Sequence, residues 1–149
     1  MQVMATRTAE ATELRIPADP QYIVVAKRAA AGMATVAGLG LEALDEFNIA
    51  IAEACEHTIR AALAAGLADA KVRINFLVQE DALRVEVRLL GSKPRPQVRS
   101  APKLPSATLA TAEAIDMAIS MLSCFAEDVD FQAADDGLVR VRLAKYRWR

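Results

Sequence analysis

The chain is predicted to fold as an α+β two-layer sandwich, a mixed, mostly antiparallel sheet with its helices on one face. Three observations predict this. Strand-like segments occur as neighbours in sequence, "AKVRINFLV" (70–78) beside "ALRVEVRLL" (82–90) and a last pair within 129–146, and adjacent strands make antiparallel hairpins. Three segments carry helical periodicity. Antiparallel neighbours leave the helices one shared face of the sheet to cover.

The elements follow in order. Residues 1–11 read as a frayed, flexible tail, 12–146 as a single domain and 147–149 as a short C-terminal tail. "TELRIPA" (12–18) alternates as a strand. Asp19 and Pro20 supply an N-cap and a first-turn proline for a helix running to Gly38. A second helix spans Leu41 to Ala65, with Gly66 as its stop. Residues 79–81 turn between the next two strands. "GSKPRPQVRSAPKLP" (91–105) is a long loop with four prolines and four basic residues, Lys93, Arg95, Arg99 and Lys103. A third helix runs from Ser106 to Ala126, where Met117 and Met121, one turn apart, read as core. The closing hairpin turns at Asp135–Gly137.

Composition narrows the function classes. The 149 residues are 54% hydrophobic and 25% charged, and 18 Lys+Arg against 19 Asp+Glu leave a net charge of −1. That is a globular chain with no overall basic field for nucleic acid or an anionic membrane. No apolar run is long enough to span a bilayer, and the first fifteen residues lack a signal-peptide core. Cys55 and Cys124 have no metal or CxxC spacing and read as buried free thiols, so a cytoplasmic location is expected. The "KYRWR" end (145–149) mixes basic and aromatic residues; packing of Tyr146 or Trp148 against the sheet edge accounts for it.

The second helix carries the residues of most chemical interest. At roughly 100° per residue, Asp45, Glu46, Glu53, Glu56, His57 and Arg60 fall within about a third of its circumference. Phe47, Ile51, Ala54, Cys55, Thr58 and Ala62 occupy the opposite arc and face the core. The plain account is a solvated face with i,i+4 pairs Glu53–His57 and Glu56–Arg60. Glu53 and His57 alone make two ligands, too few for a metal site, so no metal is expected.

The stretch from "ELRIPADPQY" through "DEFNIAIAEACEHTI", and the order of strands and helices to residue 146, resembles the bacterial anti-sigma-factor serine kinases. These belong to the histidine-kinase-like ATPase fold shared with gyrase B and Hsp90. The resemblance implies an ATP site built from three motifs. In Glu-x-x-x-Asn the glutamate is the base and the asparagine a magnesium ligand; Glu53 matches the first and His57 stands at the second. Imidazole is a poor ligand for a hard cation that prefers oxygen. In Asp-x-Gly-x-Gly the aspartate selects adenine; Leu89 stands in its place, Gly91 survives, and Lys93 takes the second glycine. In Gly-x-Gly, opening the last helix, Asp116 and Ala118 stand where bare backbone would meet phosphate.

The resemblance therefore implies a degenerate nucleotide site with Glu53 as a vestigial base and no cofactor. It points to a regulator that works by binding a sigma factor or an anti-sigma-factor antagonist. A homodimer, or a heterodimer with a related kinase, is expected, with residues 20–37 as the interface; neither nucleic acid nor membrane is a direct partner. Two alternatives stay open: an active Mg-ATP-dependent serine protein kinase, and a small-ligand sensor that reuses the pocket with His57 as a pH-sensitive contact.

Overall fold

The computed structural model describes residues 10–67, 69–91, 112–133 and 139–147. Five strands, β1 (Ala11–Pro17), β2 (Lys71–Val78), β3 (Ala82–Leu90), β4 (Glu127–Ala133) and β5 (Val139–Tyr146), form one sheet in the order β1-β2-β3-β5-β4. Three helices, α1 (Ile23–Val36), α2 (Leu41–Ala65) and α3 (Ala112–Ser123), complete the described structure. Every strand pair is antiparallel, which corrects the expectation of a mixed sheet. The reason is topological: β3 and β4 run in the same direction, with α3 between them in the chain, but β5 inserts between the two and is antiparallel to both, so no parallel pair is hydrogen-bonded among the described residues.

Local chemistry sets the element ends. The Asp19 carboxylate accepts from the Gln21 amide at 3.1 Å, but Pro20–Tyr22 forms a 3₁₀ turn before the α-helix begins at Ile23. Gly38 follows α1 with φ +77° and Gly66 follows α2 with φ +63°. At both ends the residue beyond the glycine donates back, Leu39 N–H to Ala34 at 3.0 Å and Leu67 N–H to Ala62 at 3.2 Å, which caps the last turn. Left-handed backbone is why glycine stands there.

Strand alternation divides the sheet. Ile16, Val72, Ile74, Phe76, Leu83, Val85, Val87, Val141 and Leu143 point into the helical layer and are buried. Six buried positions of α2, from Phe47 to Ala62, are those the wheel assigned to the core. Phe47 and Phe76 meet with ring centroids 6.3 Å apart. Ala26, Ala30 and Ala34 form a buried small-residue row at i, i+4 and i+8 on α1, which lets the two helices pack closely.

Two packing expectations need correction. Met117 and Met121 are 67% and 42% exposed. Helix α3 leans on the sheet through Ala118 and Leu122, both buried, and each methionine lies one residue (about 100°) off that seam. Cys124, in the turn after α3, is exposed while Cys55 is buried; both are free thiols. Burial pushes the Cys55 thiol up to about 12. Helix α3 also ends at Ser123 rather than Ala126. Tyr146 is half-buried and its hydroxyl donates to Asp128 at the sheet edge. Trp148, the basic loop with Lys93, Arg95, Arg99 and Lys103, and the turn at 135–137 lie outside the described residues. No described helix is long and apolar enough to cross a membrane.

Candidate functional site

The charged stripe of α2 divides into two lines. Asp45, Glu56 and Arg60 run along the outer one, with Glu56 and Arg60 paired at 3.2 Å and their side chains about half exposed. Glu46, Glu53 and His57 run along the inner one, half-buried above the β4–β5 side of the sheet. So of the two expected i,i+4 pairs only Glu56–Arg60 is bonded, and only half of the stripe is a solvated face.

The inner line is tied to the sheet at both ends. Lys145 on β5 is 7% exposed, and its ammonium donates to the Phe125 carbonyl at 3.0 Å and meets the Glu46 carboxylate at 3.3 Å. This tie joins α2, the turn after α3 and β5, and alternation on β5 put the lysine inward: it follows Val139, Val141 and Leu143 on the buried face. At the other end the His57 ring meets Phe131 of β4 edge to face, centroids 6.1 Å apart.

Glu53 and His57 sit side by side with 3.9 Å between Oε2 and Nε2, too long for a hydrogen bond. The buried His57 Nε2 has no hydrogen-bond partner among the described residues. Burial lowers the His57 pKa; Glu53 and Glu56 oppose this and Arg60 adds to it. The imidazole is therefore neutral at pH 7.

The sign of the linkage is fixed by that lowered pKa. As pH falls below about 6.5, the unfolded chain takes up the proton before the folded chain does. Stability falls through that window and levels off below the folded pKa. His57→Gln should abolish this component, so urea midpoints compared at pH 7.5 and 5.5 should draw closer in the variant than in the parent chain. Equal pH dependence in both would contradict the assignment.

The remaining motif positions are spread over three places. Leu89, near the end of β3, pairs with Val72 and is fully buried on the helix side of the sheet. Gly91, two residues on, is exposed, and a Cβ there would stand 2.7 Å from Leu67 Cδ1, so a leucine tip packs against one side of this backbone. Asp116 is exposed and Ala118 buried, on different arcs of α3. Both lie inside α3 and not at its described start at Ala112, whereas the resemblance implies a motif that opens the helix. Amides from Asp116 onward bond carbonyls four residues back and are not free for phosphate. Among the described residues no group of three His, Cys, Asp or Glu side chains is placed to hold a metal.

Sequence reasoning passed over Lys145, its tie to Glu46, and Phe131. The signal for Lys145 was present in the period-two pattern of "VRVRLAKY". A lysine on the apolar phase of a strand is expensive unless paired.

A five-stranded antiparallel sheet, covered on one face by a long helix carrying Glu53 over β4 and β5, defines a class of fold and site. The profile of the histidine kinase-like ATPase domain matches residues 16–145, and the chain belongs to that family. Among individual proteins it is similar to the serine-protein kinase RsbW of Listeria monocytogenes serovar 1/2a, 33% identical over 74 residues, 50% of this chain and 46% of that protein. It is also similar to the serine-protein kinase RsbW of Bacillus pumilus, 32% identical over 81 residues, 54% and 50% of the two chains. The Bacillus licheniformis counterpart is 30% identical over 81 residues, again 54% and 50%. The chain spans about half the length of the curated relatives it matches.

Proposed function

We propose that this chain is an anti-sigma-factor-like regulator that works by protein–protein contact in a bacterial cytoplasm, without ATP-dependent kinase activity. The observation that carries this is Leu89. It stands at the family's adenine-selecting position, cannot accept a hydrogen bond, and is sealed in the core with no access to a ligand.

The other positions agree with that reading. His57 offers a half-buried neutral imidazole where magnesium needs an amide oxygen. Asp116 places a carboxylate, and Ala118 a buried methyl, on a helical stretch whose amides are already bonded. Together these residues do not fit Mg-ATP, and no phosphoryl-transfer step is derived through it. Glu53 is then a former base whose carboxylate now serves the inner stripe.

Partner binding has a surface to use. Val25, Gly32 and Val36 lie exposed along one stripe of α1 at i, i+7 and i+11, and Val36 is 70% exposed. The two valines mark this stripe of α1 as the proposed contact surface. A sigma factor or an anti-sigma-factor antagonist is the proposed partner, with a homodimer or a heterodimer with a related kinase as the resting assembly. Affinity capture with the tagged chain, in buffers with and without Mg-ATP, tests this. A sigma factor or antagonist should be recovered equally in both, and Val36→Asp should release it. Recovery only with Mg-ATP would contradict the reading. One observation favours the alternative, an active serine protein kinase: the Glu53 side chain keeps 28% of its surface exposed.

A further inference from the structure

The helices cover one face of the sheet, and the described residues place nothing over the other. Strand register puts Arg15 opposite Arg73, Arg73 opposite Arg88, and Arg88 opposite Arg140. Four arginines on four adjacent strands thus form one row across the open face, about 14 Å long at a strand spacing of about 4.8 Å. Like charges directly opposite one another destabilise a sheet, so the row opposes folding unless something uses it. The chain as a whole has a net charge of −1, which makes this positive row a local feature.

Internal carboxylates neutralise the row only in part. Arg15 bonds Glu13 at 2.8 Å and Arg73 reaches Glu86 at 3.5 Å. Glu86 gives its other oxygen to Arg142 at 2.9 Å. Burial alone would raise the Glu86 pKa, but the Arg142 hydrogen bond and the charges of Arg142, Arg140 and Arg73 hold it below the ordinary carboxylate range. Arg140 donates to the neutral Gln132. Arg88 is exposed and has no hydrogen-bond or ion-pair partner among the described residues. Among the described residues, two of the four guanidinium groups therefore lack a carboxylate.

We propose that the arginine row Arg15–Arg73–Arg88–Arg140 is a docking surface for an acidic helical segment of a partner protein, laid across the strands. A helix rises about 1.5 Å per residue, so carboxylates at i, i+3, i+7 and i+10 span about 15 Å, close to the length of the row. Arginine suits this role because its fork engages carboxylates in pairs. The neighbouring row, Glu13, Asn75, Glu86, Arg142 and Asp130, mixes both signs. A continuous phosphate backbone would be repelled by its carboxylates, whereas a helix with an acidic stripe and a mixed flank complements both rows. The surface lies on the opposite side of the sheet from α1 and α2. It stands whether or not the α2 site holds a nucleotide.

The test uses the full chain and a labelled 15-residue alanine-based helical peptide bearing glutamates at i, i+3, i+7 and i+10. The glutamine version of that peptide and a single-stranded oligouridine serve as comparisons, with anisotropy read at low ionic strength. The acidic peptide should bind and its glutamine version should not. Arg88→Glu should weaken binding at least tenfold while raising the thermal midpoint, because it relieves the like-charge row and touches no existing bond. Arg88→Lys should retain most of the binding. Equal binding of the two peptides, or an Arg88→Glu chain that binds as before, overturns the proposal. So does tighter, Arg88-dependent binding of oligouridine, which would make the face a nucleic-acid surface. Self-association abolished by Arg88→Glu would assign it instead to a second copy and equally overturn the proposal.

Discussion

Leu89→Asp is expected to leave the chain largely unfolded at physiological temperature. The leucine is fully buried at the end of β3 and packs in the helical layer. Truncating such a side chain costs about 2–5 kcal/mol in transfer and cavity terms alone. Adding a carboxylate with no partner raises the cost further, since a buried charge must be neutralised or hydrated. A domain of this class is stable by about 5–15 kcal/mol, so the sum consumes much or all of it. Leu89→Ala provides the comparison: a loss of about 2–5 kcal/mol with the fold retained. Chemical denaturation of both variants checks the order. A Leu89→Asp chain as stable as the parent would mean that the position opens onto water and not into the core.

The second large effect belongs to Lys145. Lys145→Ala removes the ammonium that holds the Phe125 carbonyl and the Glu46 carboxylate. It also opens a cavity under β5 and leaves a partly buried charge unmatched. Breaking one side of a buried pair costs about 3–5 kcal/mol. The Glu46 side chain is 34% exposed, so water recovers part of that, and the lost pairing together with the cavity is expected to cost about 3 kcal/mol. Lys145→Met fills the same space without the charge and should cost about 1–2 kcal/mol, the value of the lost hydrogen bond and ion pair. If methionine were as damaging as alanine, charge pairing and not volume would hold α2 to the sheet here.

Most of the fold was legible because its elements are long and strongly periodic. Strand β3 and helix α2 run from residue to residue as the pattern predicts, and Gly66 stops α2 in a left-handed conformation. The errors lie where tertiary packing overrides pattern. Helix α3 is apolar on more than one arc, so periodicity alone could not tell that Ala118 and Leu122 face the sheet and Met117 and Met121 do not. The start of α1 was misread because Asp19 and Pro20 cap a 3₁₀ turn as readily as an α-helix.

The site was legible in part. The proximity of Glu53 to His57 and the pairing of Glu56 with Arg60 follow from spacing on one helix. What sequence could not supply was anything joining distant segments: Glu46 to Lys145, His57 to Phe131, or the alignment of Arg15, Arg73, Arg88 and Arg140. A row across a sheet exists only once strand order and register are known. Each arginine alone looks like an ordinary solvent-facing residue of an alternating strand.

The most direct measurement is a thermal melt with and without millimolar Mg-ATP, with an ATP-binding relative run alongside. A ligand at 100 times its Kd stabilises the folded state by about 2.7 kcal/mol. In a chain of this size that moves the midpoint by roughly 5–10 °C. With Leu89 sealed and His57 standing where the resemblance implies a magnesium ligand, no shift is predicted for this chain while the relative shifts. A rise of several degrees that vanishes when magnesium is chelated would contradict the account and return Glu53 to the role of a working base.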